Sequence, residues 1–309
     1  MNFFSTDVFL HALAQARFAN ATWECALRNV GPHAYRLLIV DGEPISRWPY
    51  LDFVEPFGPA QAGQPNARFL PYASTERIAC TRAAPPLPPQ HQVAPTLDWS
   101  QFANWEAFEQ HVIALRSSIW TDSARRERKM TKALGDLSFA FHDPSDDAFV
   151  ACREWKSAQY IATGGTDAFF QANIGLFEHL RKSKSFVVSS LRASGKPVAV
   201  SWSNLSEGRL GYWVVAYDTA AAEYSPGRLL LHRMFEESFR RGHREFDFLI
   251  GNEPYKWHYA THTRIVGPVG SAPLSLRLAN AFRQGAKTVL QRNPRALDFA
   301  RRLKRSLQR

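Results

Sequence analysis

Cysteine is scarce. Cys25, Cys80 and Cys152 are the only three in 309 residues, and no two are spaced as CxxC. An odd, scattered set argues against a disulfide framework, a zinc cluster or a dithiol redox motif. The thiols read instead as small buried hydrophobes in a reducing, cytoplasmic setting. Long apolar runs are missing as well: no stretch reaches 18 residues, so no membrane-spanning helix is predicted. The opening MNFFSTDVFLHALAQARFA contains Ala14-Gln15-Ala16, but it lacks a basic flank and is interrupted by Asp7 and His11. An amphipathic first helix is predicted there rather than a signal peptide. The chain has no GxGxxG, no GxxxxGK[ST] and no GxSxG, which removes the dinucleotide fold, the P-loop and the hydrolase elbow. His258 and His262 are four apart, but Tyr259 stands where a zinc protease needs Glu. No internal repeat is visible.

The composition is that of a folded chain, 45% hydrophobic and 13% aromatic, with nine Trp and 22 Phe. Its length lets it bury about three quarters of its unfolded surface without a metal or disulfide. The net charge of +10 is concentrated: residues 277–309 hold ten of the 38 Lys and Arg and one of the 28 Asp and Glu. The body is thus nearly neutral, and binding of nucleic acid by the whole protein loses most of its support. The tail reads as two helices split near Asn293-Pro294. Leu297, Ala300, Leu303 and Leu307 recur at helical spacing among Arg301, Arg302, Lys304 and Arg305. That pattern fits a helix lying on an anionic membrane surface, a peripheral membrane contact, or one docked on the body with a solvated basic face.

Along the chain, helical spacing over 6–18 with Ser5 or Thr6 as cap is followed by strand-like TWECALRNV and AYRLLIV, an Asp41-Gly42 turn, and a third strand around 45–54. Nine of the 19 prolines fall in 55–98, including PPLPP at 85–89, which predicts a long surface connection or boundary. Residues 104–132 read as helix, first apolar and then basic (Arg125, Arg126, Arg128, Lys129, Lys132). A strand follows at 134–142, then helices over 145–160 and 166–181. Asp143, Asp146 and Asp147 read as helix-start acids rather than a metal cluster. From 185 onward two Gly-containing turns separate three strands, an antiparallel meander.

The stretch from Tyr212 to Tyr259 carries the chemistry. A strand leads into Tyr224-Ser225-Pro226-Gly227-Arg228, a helix, Gly242, the apolar strand EFDFLIG and then NEPYKWHY. Ser225 suits the cap, Pro226 the first helical turn and Gly242 the residue after the helix end. Leu229, Leu230, Met234, Phe235 and Phe239 form its apolar stripe. Free N–H groups of Gly227, Arg228 and Leu229, with the helix dipole, would accept an anion such as pyrophosphate, although Ser-Pro-Gly is equally a plain structural helix start. Asp247 sits between two Phe on an apolar strand, so it must be paired or carry a raised pKa, and Lys256 is the charge nearby in sequence.

AYD…YSPGRLLL, the helix ending in Gly, and FDFLIGNEPYK closely resemble the acetyltransferase domain of the GNAT superfamily found in CelD-type cellulose-biosynthesis proteins, related to the FemAB-like fold. EWKSAQY around Lys156 and the hairpin SGKPVAVSW match the same pattern. The resemblance covers roughly 105–265, and residues 1–100 match more loosely as a degenerate second half. It implies an α+β, tandem GNAT-like fold with mixed parallel and antiparallel sheets flanked by helices, a transferase domain over 101–270, and the basic tail beyond. It implies that strands 210–217 and 245–250 run parallel and splay apart around the pantetheine arm of acyl-CoA. Val215, Ala216 and Tyr217 would line that gap, and Ser225, Pro226, Gly227, Arg228 and Leu229 would hold the pyrophosphate. Direct transfer then needs an acid and a base, for which Asp247, Lys256, Tyr255, Glu253, His258 and Lys156 are candidates. No metal is implied. The acceptor would be an amine or hydroxyl of a polysaccharide or its nucleotide- or lipid-linked precursor. The alternatives are a Fem-type transferase using aminoacyl-tRNA, the one reading in which nucleic acid is a partner, and a catalytically inactive scaffold.

Overall fold

The computed structural model describes residues 2–45, 52–79, 82–88, 90–163 and 167–272. Cys80, part of the third predicted strand and the basic tail lie outside them. In chain order the elements are α1 (Asp7–Arg17), β1 (Trp23–Val30), β2 (His33–Val40), β3 (Glu43–Pro44), β4 (Gly58–Pro59), β5 (Phe69–Ala79) and β6 (Gln92–Asp98). Then come α2 (Trp105–Leu115), α3 (Ile119–Leu134), β7 (Leu137–Ala140), α4 (Asp146–Ala162), α5 (Ala168–Gln171) and α6 (Ile174–Leu180). The chain continues as β8 (Phe186–Ala193), β9 (Lys196–Ser206), β10 (Arg209–Tyr217), α7 (Pro226–Arg240), β11 (Glu245–Asp247) and β12 (His262–Gly270).

β1, β2 and β3 form a small antiparallel sheet, with β4 also on β2. The other eight strands form one mixed sheet in the order β5-β12-β6-β11-β10-β9-β8-β7. Every neighbouring pair in it is antiparallel except β10 and β11. The fold is therefore mixed αβ with parallel and antiparallel pairing, as expected.

Side chains alternate across a strand, so the large sheet has two apolar faces. On one, Val200, Trp202, Val214 and Ala216 share a core with Phe149 and Cys152 of α4, Phe9 and Leu13 of α1 and Tyr35 of β2. On the other, Leu210, Tyr212 and Phe246 pack with Phe108 and Val112 of α2 and Leu230, Met234 and Phe235 of α7. α4 and α7 thus cover opposite faces of β10.

Several expectations need correction. The proline-rich segment 55–98 is no mere connection, because it contributes β5 and β6 to the large sheet. Pro71 is tolerated because β5 is an edge strand. Pro95 lies in the interior strand β6, where its carbonyl accepts the Phe248 N–H at 3.0 Å, just past the end of β11. In an antiparallel strand N–H and C=O of one residue point the same way, so its missing donor faces a place where β11 has already stopped. The large sheet is also continuous across residue 100, since β5 and β6 pair with β12 and β11. The predicted helix over 166–181 is two, broken at Asn173, whose Oδ1 accepts from Arg17 at 2.8 Å. The predicted strand 245–251 pairs over three residues only. Thr6 is the cap of α1, accepting from the Phe9 N–H. Asp143 and Asp147 are ion-paired with Arg192, and Asp146 with Arg181, which accounts for that acidic cluster without a metal.

Candidate active site

β10 and β11 hold register for three pairs, Arg209↔Glu245 to Gly211↔Asp247, and then part. A register shift between Tyr212 and Val214 in the β10–β9 ladder marks a bulge where the parting begins. A bulge bends its strand and sharpens local twist, so it carries the rest of β10 away from β11. Leu249, in a left-handed conformation with φ 58°, turns the other chain away. The backbone of β10 beyond Gly211 is left with no strand on that side.

The resulting cleft is a cavity of about 360 Å³. Tyr212, Val215 and Tyr217 line it from β10, Ser225, Gly227, Arg228 and Leu231 from the start of α7, and Tyr255, His258 and Tyr259 from the segment after β11. Gln159 of α4, Ala222 just before α7, and Arg116 and Ile119 around the α2–α3 junction complete it. Of the residues expected at the pyrophosphate and pantetheine, Val215, Tyr217, Ser225, Gly227 and Arg228 are present. Ala216 points into the opposite core, as alternation requires, and Pro226 and Leu229 are buried in packing.

Ser225 does not cap α7. Its backbone is left-handed (φ 54°, ψ 53°) and its side chain makes no cap hydrogen bond. Its carbonyl instead accepts the Arg228 and Leu229 N–H groups, at 3.0 and 3.3 Å. Of the three N–H groups expected to be free, only that of Gly227 remains so. A Cβ at Gly227 would meet the Tyr217 ring at 3.4 Å. The helix end follows expectation: Gly242, at φ 68°, donates to Phe239 and His243 donates to Ser238, closing the last turn.

The charge at this end of the cleft is unbalanced. Arg228 is part-buried, its Nε has no hydrogen-bond partner, and neither it nor Arg116 forms an ion pair among the described residues. Burial lowers the pKa of Arg228, and Arg126 and Arg116 nearby lower it further. Burial, Arg116 and Arg228 likewise lower that of His258. Tyr259 and Asp122 pull the Arg228 pKa the other way without forming an ion pair with it, and a cluster of cations so placed is an environment in which an anion is stabilised.

Two tyrosines face the middle of the cleft. Burial raises the pKa of both Tyr255 and Tyr259. The Tyr259 hydroxyl is 2.7 Å from Nε2 of His232, whose ring lies against Trp120 at 4.4 Å. Burial first, then Arg228 and Arg233, lowers the His232 pKa to about 3. A neutral imidazole donating to the phenol oxygen would leave the phenol proton free to be given away.

Neutral burial of His232 has a stability consequence. In the folded protein its pKa is depressed, so the unfolded chain takes up the proton first. The contribution is intact above pH 6.5 and is lost as pH falls toward about 3, at about 1.4 kcal/mol per pH unit. Urea denaturation of wild type and His232→Gln should show the gap between them moving in favour of the variant between pH 7 and pH 4. A gap independent of pH would refute the assignment.

Asp247 is fully buried but is not paired with Lys256. Its Oδ2 meets Arg264 at 3.3 Å and its Oδ1 accepts the Leu249 N–H at 2.9 Å. Desolvation raises its pKa against the pull of Arg264 and Arg209. Arg264 also binds Glu55 at 2.7 Å and Glu245 at 2.5 Å, and Arg209 reaches both of those carboxylates. This network lies behind the cleft, and the expected Asp247–Lys256 unit does not form. Lys256 binds Glu253 at 2.9 Å and the carbonyls of Ile250 and Leu249 at 3.2 and 3.4 Å. Gly251, at φ 140°, holds a backbone conformation that residues with side chains rarely adopt, and a Cβ there would also crowd the Glu253 carboxylate. Lys156 reaches from α4 to the Val215 carbonyl at 3.3 Å, and burial lowers its pKa. Glu253, Lys256 and Lys156 therefore gather where the strands part, without lining the cavity.

Arg116, Tyr259, Arg264 and Asp52 were not singled out in the sequence, and His232 was expected only as a possible added charge one turn after Arg228. Each is brought in by topology, and only the YKWHY segment already drew attention to the neighbourhood of Tyr259. Outside the cleft, Asp7, His11 and Cys25 bring ligand atoms within 4.8 Å of one another, with Asp7 already ion-paired to Arg36.

Residues 121–257 match the family described as acetyltransferase (GNAT) domain, rather less than half of the chain. No curated protein matches in sequence. Among solved structures, FemX superposes with a TM-score of 0.53 at 7% identity, over 87% of this chain and 91% of that one. A tandem GNAT protein from the clavulanic acid biosynthesis pathway gives 0.40 at 9%, over 87% and 89%. A conserved protein of unknown function from Bacteroides thetaiotaomicron gives 0.39 at 13%, over 66% of this chain and 63% of that protein's length. The splayed β10–β11 pair, the α7 start and the match over 121–257 agree on a GNAT-like fold.

Proposed function

We propose that the chain is an acyltransferase that takes an acyl group from acyl-CoA and passes it directly to an amine or hydroxyl of a polysaccharide or of its nucleotide- or lipid-linked precursor. One observation carries the donor assignment: the unpaired Arg116 and Arg228 meet the open Gly227 N–H at one end of a cleft whose walls are mainly tyrosine and aliphatic side chains. A polyanionic head and an extended amide arm suit that combination. The pyrophosphate rests on Gly227 and Arg228, and the pantetheine arm lies along the unpaired edge of β10. The thioester then stands between the edge of β10 and the tyrosines. Tyr259, oriented by His232, or Tyr255 gives its proton to the departing thiolate. Asp247 supports the site through Arg264 rather than touching substrate.

A Fem-type reading, with aminoacyl-tRNA as donor, draws on the FemX-like fold and on α3. That helix carries Arg125, Arg126, Arg128, Lys129 and Lys132, and the Arg126 guanidinium bonds the Glu223 carbonyl just before α7. Thiol release from acetyl-CoA, measured across a panel of amino sugars and unsubstituted sugars, separates the two. The acyl-CoA reading expects acceptor-dependent release unaffected by ribonuclease. Transfer that appears only with charged tRNA would replace it.

A further inference from the structure

Asp52 comes from the first half of the chain and reaches the place where β10 and β11 part. Its Oδ1 accepts the Ile250 N–H at 2.6 Å, and its other oxygen has no partner among the described residues. Ile250 is also the residue whose carbonyl holds Lys256. Polar groups therefore gather around the gap: Lys156 on the Val215 carbonyl of β10, the Glu253–Lys256 pair, and Asp52 on Ile250, with Glu253 near enough to act on Lys156 and Lys256 on Asp52. Lys156 stands on α4 one turn before Gln159, which lines the cleft, so this set borders the cleft from the α4 side whereas Arg228 borders it from α7. A donor held at the start of α7 would leave the α4 side for the acceptor.

We propose that Asp52 is the general base that deprotonates an amine acceptor, so that the first half of the chain completes the active site. This rests on the acyl-transfer reading above. In the step, an ammonium acceptor gives one proton to the free oxygen of Asp52, which passes it to solvent. The nitrogen lone pair attacks the thioester carbon and the C–N bond forms. The C–S bond then breaks, and the second nitrogen proton ends on sulfur by way of a cleft tyrosine. The products are an amide, free CoA thiol and one released proton. Enclosure supports the assignment by raising the Asp52 pKa to about 7. The groups facing it are the Ile250 N–H and Lys256, which lower it, and Asp247 and Glu253, which raise it. A base so poised matches an ammonium far better than an alcohol, so the proposal also selects amine over hydroxyl transfer.

The test uses the full-length protein, Asp52→Asn and Asp52→Glu. In carboxyl ¹³C spectra, the signal absent from Asp52→Asn should titrate near neutrality in wild type. With acetyl-CoA and glucosamine as acceptor, kcat/KM of wild type should fall on the acid side of that titration. Asp52→Asn should lose about 100-fold and flatten the profile, and Asp52→Glu should restore part of the rate. Hydroxylamine is already unprotonated at neutral pH, so Asp52→Asn should acetylate it at nearly the wild-type rate. Equal loss with both acceptors, unchanged glucosamine transfer, or titration in the ordinary carboxylate range would each overturn the proposal. Absence of transfer from acetyl-CoA to any amine by wild type, with Asp52 still titrating near neutrality, would overturn the donor reading instead.

Discussion

Arg264→Met is expected to destabilise the fold by about 3–5 kcal/mol, more than any substitution within the cleft. The side chain is 3% exposed and meets three carboxylates: Glu55 from the first half of the chain, and Glu245 and Asp247 from β11. Removing it leaves these acids with only Arg209 and Arg77, which already serve Glu55, Glu245 and Asp98. The cost comes from stranding buried charge rather than from losing attraction, so it should shrink in acid as the carboxylates protonate. Arg264→Lys should recover only part, because an ammonium cannot reproduce the planar fork that serves all three acids. Urea denaturation at neutral pH checks this, and a change below about 1 kcal/mol would show that the network is not what joins the two halves.

Gly227→Val is expected to weaken CoA binding by about 100-fold while leaving the fold intact. A lost backbone bond to a charged group is worth about 1.5–3 kcal/mol, and the added bulk also blocks approach of the pyrophosphate. Gly227 is not left-handed, and the added Cβ has only the edge of Tyr217 in ordinary contact. The thermal midpoint should therefore move little. A fold that collapses would show that the glycine is structural, whereas unchanged affinity would remove the pyrophosphate assignment.

The meander, α7 and the Ser-Pro-Gly start were legible because each is written in local chemistry: two glycine turns, a helical apolar stripe, a proline and a closing glycine. Local rules misled where long-range pairing decided the outcome. Prolines hid β5 and β6, and an apolar run suggested a strand to 251 that the splay cuts short at 247. β12, with two glycines and Pro268, carries no clear alternation, and it becomes a strand only because β5 and β6 flank it. Asp247 was rightly marked as a charge needing a partner. The partner is Arg264, 17 residues on, rather than the nearer Lys256, because antiparallel pairing places β12 beside β6 and so near β11. Nothing local distinguishes Asp52 or Arg116 from ordinary surface charge.

Calorimetric titration of CoA into wild type and Gly227→Val shows whether the cleft at the start of α7 binds acyl-CoA. The expected result is one CoA per wild-type chain, with affinity falling as salt rises because Arg116 and Arg228 carry the contact, and a binding heat largely lost in the variant. Absence of binding to the wild type, or equal binding to both proteins, would contradict it.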